Sequence, residues 1–279
     1  PADLVDEVTP DLPKGPIEVT FLASIGKSGN TNWTFMPPVD FEEEIQILDL
    51  QSDNSGKLYL LGNTTSQKYN GMVIQTLSSN NGVPSDPILA DPESQFMAIA
   101  MAVSNNNRIY LVGNSNETDG AASGLQVRCY RNNGQLDWKT DLGSIGVNNF
   151  SPSAIHLHDK GGVYVVGVSN SPETAADIHV VRFDSSGSGE WQNTLGLPGK
   201  ADDILIASKV DGSGALIVTG DSTYPGQPTQ ITLGKFLTDG NAAWSIVLPT
   251  SMPKVSDHVT DMDLDNSGNI YLSAIRHAP

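Results

Sequence analysis

Two landmarks recur along this chain with one period, and a repeat of that length restricts the fold more than any other feature. The first is a Gly followed four residues later by Trp: Gly29/Trp33, Gly134/Trp138, Gly187/Trp191 and Gly240/Trp244. Gly82 keeps the register, with Asp86 where Trp would stand, and the five glycines are 53, 52, 53 and 53 residues apart. The second is an apolar segment ending in Gly: KLYLLG at Gly62, RIYLVG at Gly113, GVYVVG at Gly167 and ALIVTG at Gly220, with NIYLSA ending at Ala274 as a fifth copy. Its central residues Tyr59, Tyr110, Tyr164, Ile217 and Tyr271 are spaced by 51, 54, 53 and 54.

Each repeat contains four short β-rich runs. In the fourth copy they are 204–210, 215–220, 230–236 and 242–248, separated by Asp-Gly-Ser-Gly, by the loop 221–228 and by Thr-Asp-Gly. Apolar runs punctuated by Asn, Asp, Ser and Gly signal hairpins. No sustained 3.6-residue apolar period occurs, so helix is nearly absent. Four strands per period of this length predict the blade of a β-propeller, all-β and single-domain. The first strand should be innermost: Ile99 to Val103 is apolar on both faces, as a strand packed between neighbouring blades must be. The Trp strand should be outermost, covering edge surface while the indole N–H finds a partner. The phase predicts the closure. The chain begins with a third and a fourth strand (17–25, 32–39) and ends with a first and a second (258–265, 269–275). Five blades follow, at about 41–90, 93–143, 151–197, 202–248, and 256–279 completed by 16–39, with an N-terminal arm at 1–14. Pairing the two ends would remove two exposed sheet edges.

The succession D-x-SGN-I-Y-L, G, V-V-R-F-D-x-x-G and W resembles the bacterial β-propeller repeat known as SBBP, best in copies two to four. The resemblance implies a secreted or surface-anchored bacterial protein and supplies no catalytic residues. The chain departs from the pattern at Asp86, at Cys129 (where Arg182 and Lys235 stand in sister copies) and at Ala274.

Charge narrows the partners. A formal charge of −17, with 32 acidic and 15 basic residues, argues against nucleic acid and against a basic membrane-surface patch. No apolar run approaches the ~20 residues of a spanning helix, so membrane insertion is not expected. Cys129 is the only cysteine, which excludes an intrachain disulfide. A start at Pro1, abundant Asn, Ser, Thr and Gly, and scarce Lys suggest a processed chain or an excised domain of an extracellular or cell-surface protein. The sequons at Asn32, Asn63, Asn116 and Asn149 match what chance gives in a chain of this composition.

Signatures of catalysis are missing: no Gly-x-Ser-x-Gly, no His-Glu-x-x-His, no phosphate loop and no dinucleotide fingerprint. His156 and His158 lie on one face of a strand without metal-ligand spacing to the other histidines, so no metal site is assigned. Asp263-Leu-Asp265-Asn-Ser267-Gly268 resembles the start of a calcium loop, but Ala274 stands where its Glu is needed, and sister copies use the same place as a turn. No cofactor is expected beyond a possible Ca2+ or other cation.

Departures between copies are more informative. One inner-strand column reads Asp49, Ala100, Ala154, Ala207, Asp261, and the next reads Gln51, Ala102, His156, Lys209, Asp263. In a closed ring, residues 49 and 261 belong to neighbouring blades. Their carboxylates would bond to backbone or channel water, hold a cation or polar ligand, or act as an acid–base pair. The entries to the inner strands are acidic (Glu42, Glu43, Glu44, Glu93, Asp202, Asp203, Asp257), forming either a solvated rim or a charged channel mouth. Tyr69 and Tyr224 lie on the long second-to-third-strand loops, where binding residues concentrate. The functional expectation is a non-enzymatic binding or scaffold module engaging a protein or glycan through its loop face. The alternatives are a structural subunit of a larger extracellular assembly and a carboxylate-dependent glycoside hydrolase.

Overall fold

The computed structural model describes residues 21–36, 45–65, 70–85, 95–116, 124–248 and 254–277. The expected N-terminal arm, Glu42 to Glu44, Tyr69, Asp86 and Glu93 lie outside these. The described chain is all-β, with 19 strands in six antiparallel sheets and one 3-10 turn at Leu142–Ile145. No helix among the described residues is long and apolar enough to cross a membrane.

Three sheets are complete four-stranded meanders in sequence order. They are β6 (Phe96–Val103), β7 (Arg108–Ser115), β8 (Gly124–Arg131) and β9 (Leu136–Asp141); then β10 (Phe150–Leu157), β11 (Val163–Ser171), β12 (Ala175–Phe183) and β13 (Gly189–Leu195); then β14 (Asp202–Val210), β15 (Leu216–Thr223), β16 (Gln230–Phe236) and β17 (Ala242–Leu248). Before them comes a three-stranded sheet, β3 (Ile45–Ser52), β4 (Lys57–Thr65) and β5 (Asn70–Ser78), whose fourth-strand region is reduced among the described residues to a bridge between Leu77 and Pro84. Two hairpins end the chain: β1 (Leu22–Ile25) with β2 (Thr31–Phe35), and β18 (Ser256–Leu264) with β19 (Ile270–His277).

Local chemistry explains the meanders. In the turns between first and second strands, Asp53, Asp211 and Asp265 accept the backbone N–H groups two and four residues on. Each is followed three residues later by a Gly at positive φ: Gly56 at 81°, Gly214 at 82° and Gly268 at 82°. The acidic run at 263–268 is therefore a turn, with Asp265 bonded to its own loop and Asp263 turned toward Lys209. Every first strand also carries a bulge at one register, between 47 and 49, 98 and 100, 152 and 154, 205 and 207, and 259 and 261.

The core lies between sheets, not within them. Tyr59, Ile74, Phe96 and Leu111 fill the space between the β3–β5 and β6–β9 sheets. Val127, Phe150, Val165 and Phe183 fill the next interface, and Tyr164, Val180, Leu216 and Phe236 the one after. Ile217, Leu233 and Met262 join the β14–β17 sheet to β18.

The Gly-x-x-x-Trp motif proves to be an inter-sheet clasp. Three of the four motif Trp residues lie on the motif Gly of the following sheet and donate their indole N–H to a nearby carbonyl. Trp33 sits on Gly82 and donates to Ser79 O (2.9 Å), Trp138 sits on Gly187 and donates to Ser185 O (3.0 Å), and Trp191 sits on Gly240 and donates to Thr238 O (3.2 Å). Gly is required because a Cβ at any of these positions would overlap the indole ring.

Among the described residues the two ends of the chain are not paired into the expected fifth four-stranded sheet: β1–β2 and β18–β19 are separate two-stranded sheets. Each terminal hairpin is instead docked on its own neighbour, β2 through Trp33 and β18 through Met262. The facing residues stay open to solvent, with Phe21 66%, Tyr271 58% and Ile275 52% exposed. Among the described residues, its chain neighbours aside, nothing lies within 4 Å of the Cβ position at Gly29, the glycine that would receive Trp244.

Candidate functional site

Inner strands β3, β6, β10 and β14 surround an axial cavity of about 840 Å³. Its wall is apolar at Leu48, Ile99, Met101 and Leu157 and polar at Asp49, Gln51, His156, Ser208 and Lys209. Successive residues of one strand, such as Ser208 and Lys209, both reach this wall. Asp49, Gln51, His156 and Lys209 come from the two inner-strand columns in which the copies diverge, Ser208 lies between them, and Ala100, Ala102 and Ala154 supply space.

The polar groups are linked from strand to strand. Asp49 accepts the N–H of Leu50 (2.7 Å) and the amide of Gln51 (3.2 Å), and its second oxygen lies 3.4 Å from the Met101 N–H on the next sheet. His156 Nε2 pairs with the Ser208 hydroxyl across the β10–β14 gap at 2.7 Å. Beside it, Lys209 Nζ donates to Asp263 on β18 at 2.6 Å. That bond, with the N–H of Leu264, holds the Asp263 carboxyl below its ordinary value. His156 is pushed down to about 4, by burial first and then by the Lys209 charge. The imidazole is therefore neutral at pH 7, able to donate through one nitrogen and accept through the other.

A pH dependence follows. The folded-state value lies below the ordinary one near 6.5, so between about pH 6.5 and 4 the unfolded chain takes up the proton first. The contribution of His156 is complete above pH ~6.5 and is lost as the pH falls through 4. The full shift would be worth ~3 kcal/mol; water entering the cavity reduces this to about 1–2 kcal/mol. Urea unfolding of the wild type and of His156→Gln should therefore differ in slope between pH 7 and 4. Identical slopes would show that the ring is not buried.

The structure brings Asp49 and His156 into one cavity and adds Ser208 and Lys209, which the sequence reading did not select. Asp261 is not among the cavity-lining residues and accepts the N–H of Met262. Asp263 is exposed, at the far side of Lys209. His158 caps its turn by accepting the Lys160 N–H at 3.0 Å and packs edge-on to Tyr164. The Tyr224 hydroxyl donates to Pro198 O at 2.6 Å, fixing one loop against another. Among the described acidic rim residues, Asp202 is exposed, whereas Asp203 is 0% and Asp257 9% exposed. Asp257 is held by both nitrogens of an Arg276 fork, at 2.6 and 2.8 Å. Cys129 is fully buried, and burial pushes its thiol up to about 11, so it serves as an apolar filler. A further buried polar group, Arg128, lies on the Phe96 ring at 4.3 Å and bonds to Gln126, Ser115 and Tyr130.

No family model matches the chain, and no curated protein matches it in sequence. Among solved structures, it is similar to a protein of unknown function from Bacteroides caccae (TM-score 0.50, 11% identity, 90% of this chain and 77% of that one). It is equally similar to a protein of unknown function from Dyadobacter fermentans (TM-score 0.50, 11% identity, 79% and 74%). An endo-arabinase from Bacteroides thetaiotaomicron is more distant (TM-score 0.43, 13% identity, 82% and 88%). At these identities the likeness is one of fold alone, an all-β propeller-like arrangement of blade sheets.

Proposed function

We propose that this chain is a non-enzymatic binding or scaffold module, secreted or displayed on a cell surface, that holds a polar, hydroxyl-rich ligand such as a glycan at its axial cavity. The observation that carries the reading is the polar arc Asp49–Gln51–His156–Ser208–Lys209 on the cavity wall, where Asp49 has Ala100, Ala154 and Ala207 as sister residues and the column of Gln51, His156 and Lys209 has Ala102. The cavity has the size of a small-molecule site, and its few convergent donors and acceptors on an apolar wall are what orientation of a ligand needs. A glycoside hydrolase would instead use two opposed carboxyl groups ~5–9.5 Å apart. Asp49 is the one carboxylate among the described residues of the wall.

The test is calorimetric titration with a panel of neutral and acidic oligosaccharides, followed by mass analysis of each sugar. Binding by the wild type, lost in His156→Ala and Lys209→Ala with the sugar recovered intact, is the expected result. Shortened sugars would replace this reading with the hydrolase. Absence of binding across the panel would leave the assembly role as the better account.

We further infer that the sheets form one five-bladed ring with its seam between β19 and β1. In complete sheets the second-strand residue, its third-strand partner and the Trp stand in one row: Tyr164, Arg182 and Trp191, or Ile217, Lys235 and Trp244. Ser24 is the partner of Trp33, so the same row places Tyr271 opposite Ser24. Trp244 is the one motif Trp whose receiving glycine, Gly29, is uncovered, so closure would complete the clasp series.

A further inference from the structure

Two positions before each first-strand bulge, the copies carry Ile45, Phe96, Phe150, Asp203 and Asp257. Phe96 and Phe150 are buried, at 0% and 5% exposed. Exchanging such an aromatic for Asp puts a carboxylate where an apolar side chain belongs, which is costly unless something compensates. The second-strand partners at this register are Thr64, Ser115, Ser169, Ser222 and Arg276. Arg276 compensates Asp257 directly. Asp203 faces Ser222, whose hydroxyl is shared with Thr232 at 2.9 Å.

Asp203 is 0% exposed, and neither of its carboxyl oxygens has a hydrogen-bond partner. The Ser222 hydroxyl and the Leu197 N–H lie beside it, but burial first and then the Asp177 charge outweigh them and push the carboxyl up to about 6. What it faces from the neighbouring sheet is a second carboxylate. Paired with the hydroxyl column on the third strands are Gly71, Gly124, Asp177 and Gln230. Gly71 lies against the Phe96 backbone, with its N and O 3.5 and 3.2 Å from the Cβ position. At the β12–β14 interface both members have changed, glycine to Asp177 and phenylalanine to Asp203. Gly196 keeps the space between them open: a Cβ there would overlap Asp203 Oδ2 and stand 2.5 Å from Asp177 Oδ1. Two facing carboxylates, one of them buried, repel each other unless a proton or a cation lies between them.

We propose that Asp177 and Asp203 bind a hard divalent cation of the calcium type, clasping the β10–β13 sheet to the β14–β17 sheet at the register where sister copies carry glycine and phenylalanine. The donors are all oxygen, which suits Ca2+, with its six to eight oxygen ligands at ~2.3–2.6 Å, and disfavours thiolate- or imidazole-seeking metals. The described residues contain no group of three or more His, Cys, Asp or Glu able to hold a metal. The two carboxylates are therefore supplemented by water and by neutral oxygens.

The test uses the full chain, stripped with EDTA at pH 7.5, and measures thermal melting and calorimetry with CaCl2 alone and MgCl2 alone. Saturating Ca2+, at about a hundred times its Kd, should raise the melting temperature by ~5–10 °C. Asp203→Asn and Asp177→Asn should each abolish the rise. The double variant Asp203→Phe with Asp177→Gly copies the Phe96–Gly71 interface; it should melt well above the EDTA-stripped wild type and be indifferent to Ca2+. It also keeps the test informative if a single variant fails to fold. No rise with millimolar Ca2+ or Mg2+, or an equal rise in the double variant, would overturn the proposal.

Discussion

Removing residues 256–277 should destabilise the whole domain by ~5 kcal/mol or more, far beyond the fraying of an end. Val259 and Met262 on β18 are 3% and 1% exposed, and Leu264, Ile270 and Leu272 pack with them against Ile217, Leu233 and Trp244. Each well-buried aliphatic side chain contributes ~1.5–3 kcal/mol, taken as an upper bound because the unfolded chain already hides part of that surface. Asp221, 8% exposed, would also lose the Val259 N–H (2.9 Å) and His258 Nδ1 (2.8 Å), leaving a buried carboxylate with fewer partners. Urea titration of the truncated chain measures the loss; an unchanged midpoint would mean that the hairpin adds nothing to its neighbour. Ring closure is read separately, with Ser24→Cys and Tyr271→Cys in one chain. A closed ring brings the two Cβ atoms within disulfide range, so oxidation should form an intrachain bond and raise the melting temperature. A bond found only between chains would place the seam in an oligomer, and no bond at all would leave the arc open.

The period carried most of the fold in the sequence. Short-range chemistry repeats with it, so the strands, the Asp–Gly turns and the innermost place of the Ile99-to-Val103 strand could all be placed before any coordinates. The strand runs 230–236 and 242–248 of the fourth copy coincide with β16 and β17. What the repeat could not disclose is contact between copies. Gly187 and Trp191 look like one motif, yet that Gly receives the Trp of the sheet before it and that Trp reaches the Gly of the sheet after it. The same limit applied to the site. Asp49 stood out because three sister copies use Ala there, and His156 because its column differs from copy to copy. Ser208 and Lys209 matter through His156 and Asp263 on other sheets, which no spacing in one copy reveals. The pairing of Asp261 with Asp49 rested on a sealed ring, and among the described residues the terminal hairpins pair only within themselves. Asp203 was legible as acidic but not as buried, because rim and interface differ by one residue in register: Asp202 points out and Asp203 points in.

Gly220→Ala should cost about 3 kcal/mol, the upper end for inserting one methyl into a packed interior. Gly220 pairs with Leu205 beside the first-strand bulge, which turns the Ile204 carbonyl toward it. A Cβ at Gly220 would overlap that oxygen and stand 2.8 Å from Ile178 Cδ1 of the preceding sheet. Gly113 and Gly167 meet the carbonyls of Met97 and Ser151 in the same way, so the requirement belongs to the bulge and not to one blade. The backbone at Gly220 is in an ordinary extended region, so the cost is one of space and not of φ. The fifth copy supplies the control. Ala274 occupies this register opposite Val259, on an exposed strand that can give way. Ala274→Gly should therefore shift stability by less than ~1 kcal/mol, chiefly through the freedom it adds to the unfolded chain. Urea midpoints of the two variants, measured side by side, decide the point. A Gly220→Ala protein that unfolds with the wild type would show that the bulge moves aside, and the glycine ending each apolar run would then need another explanation.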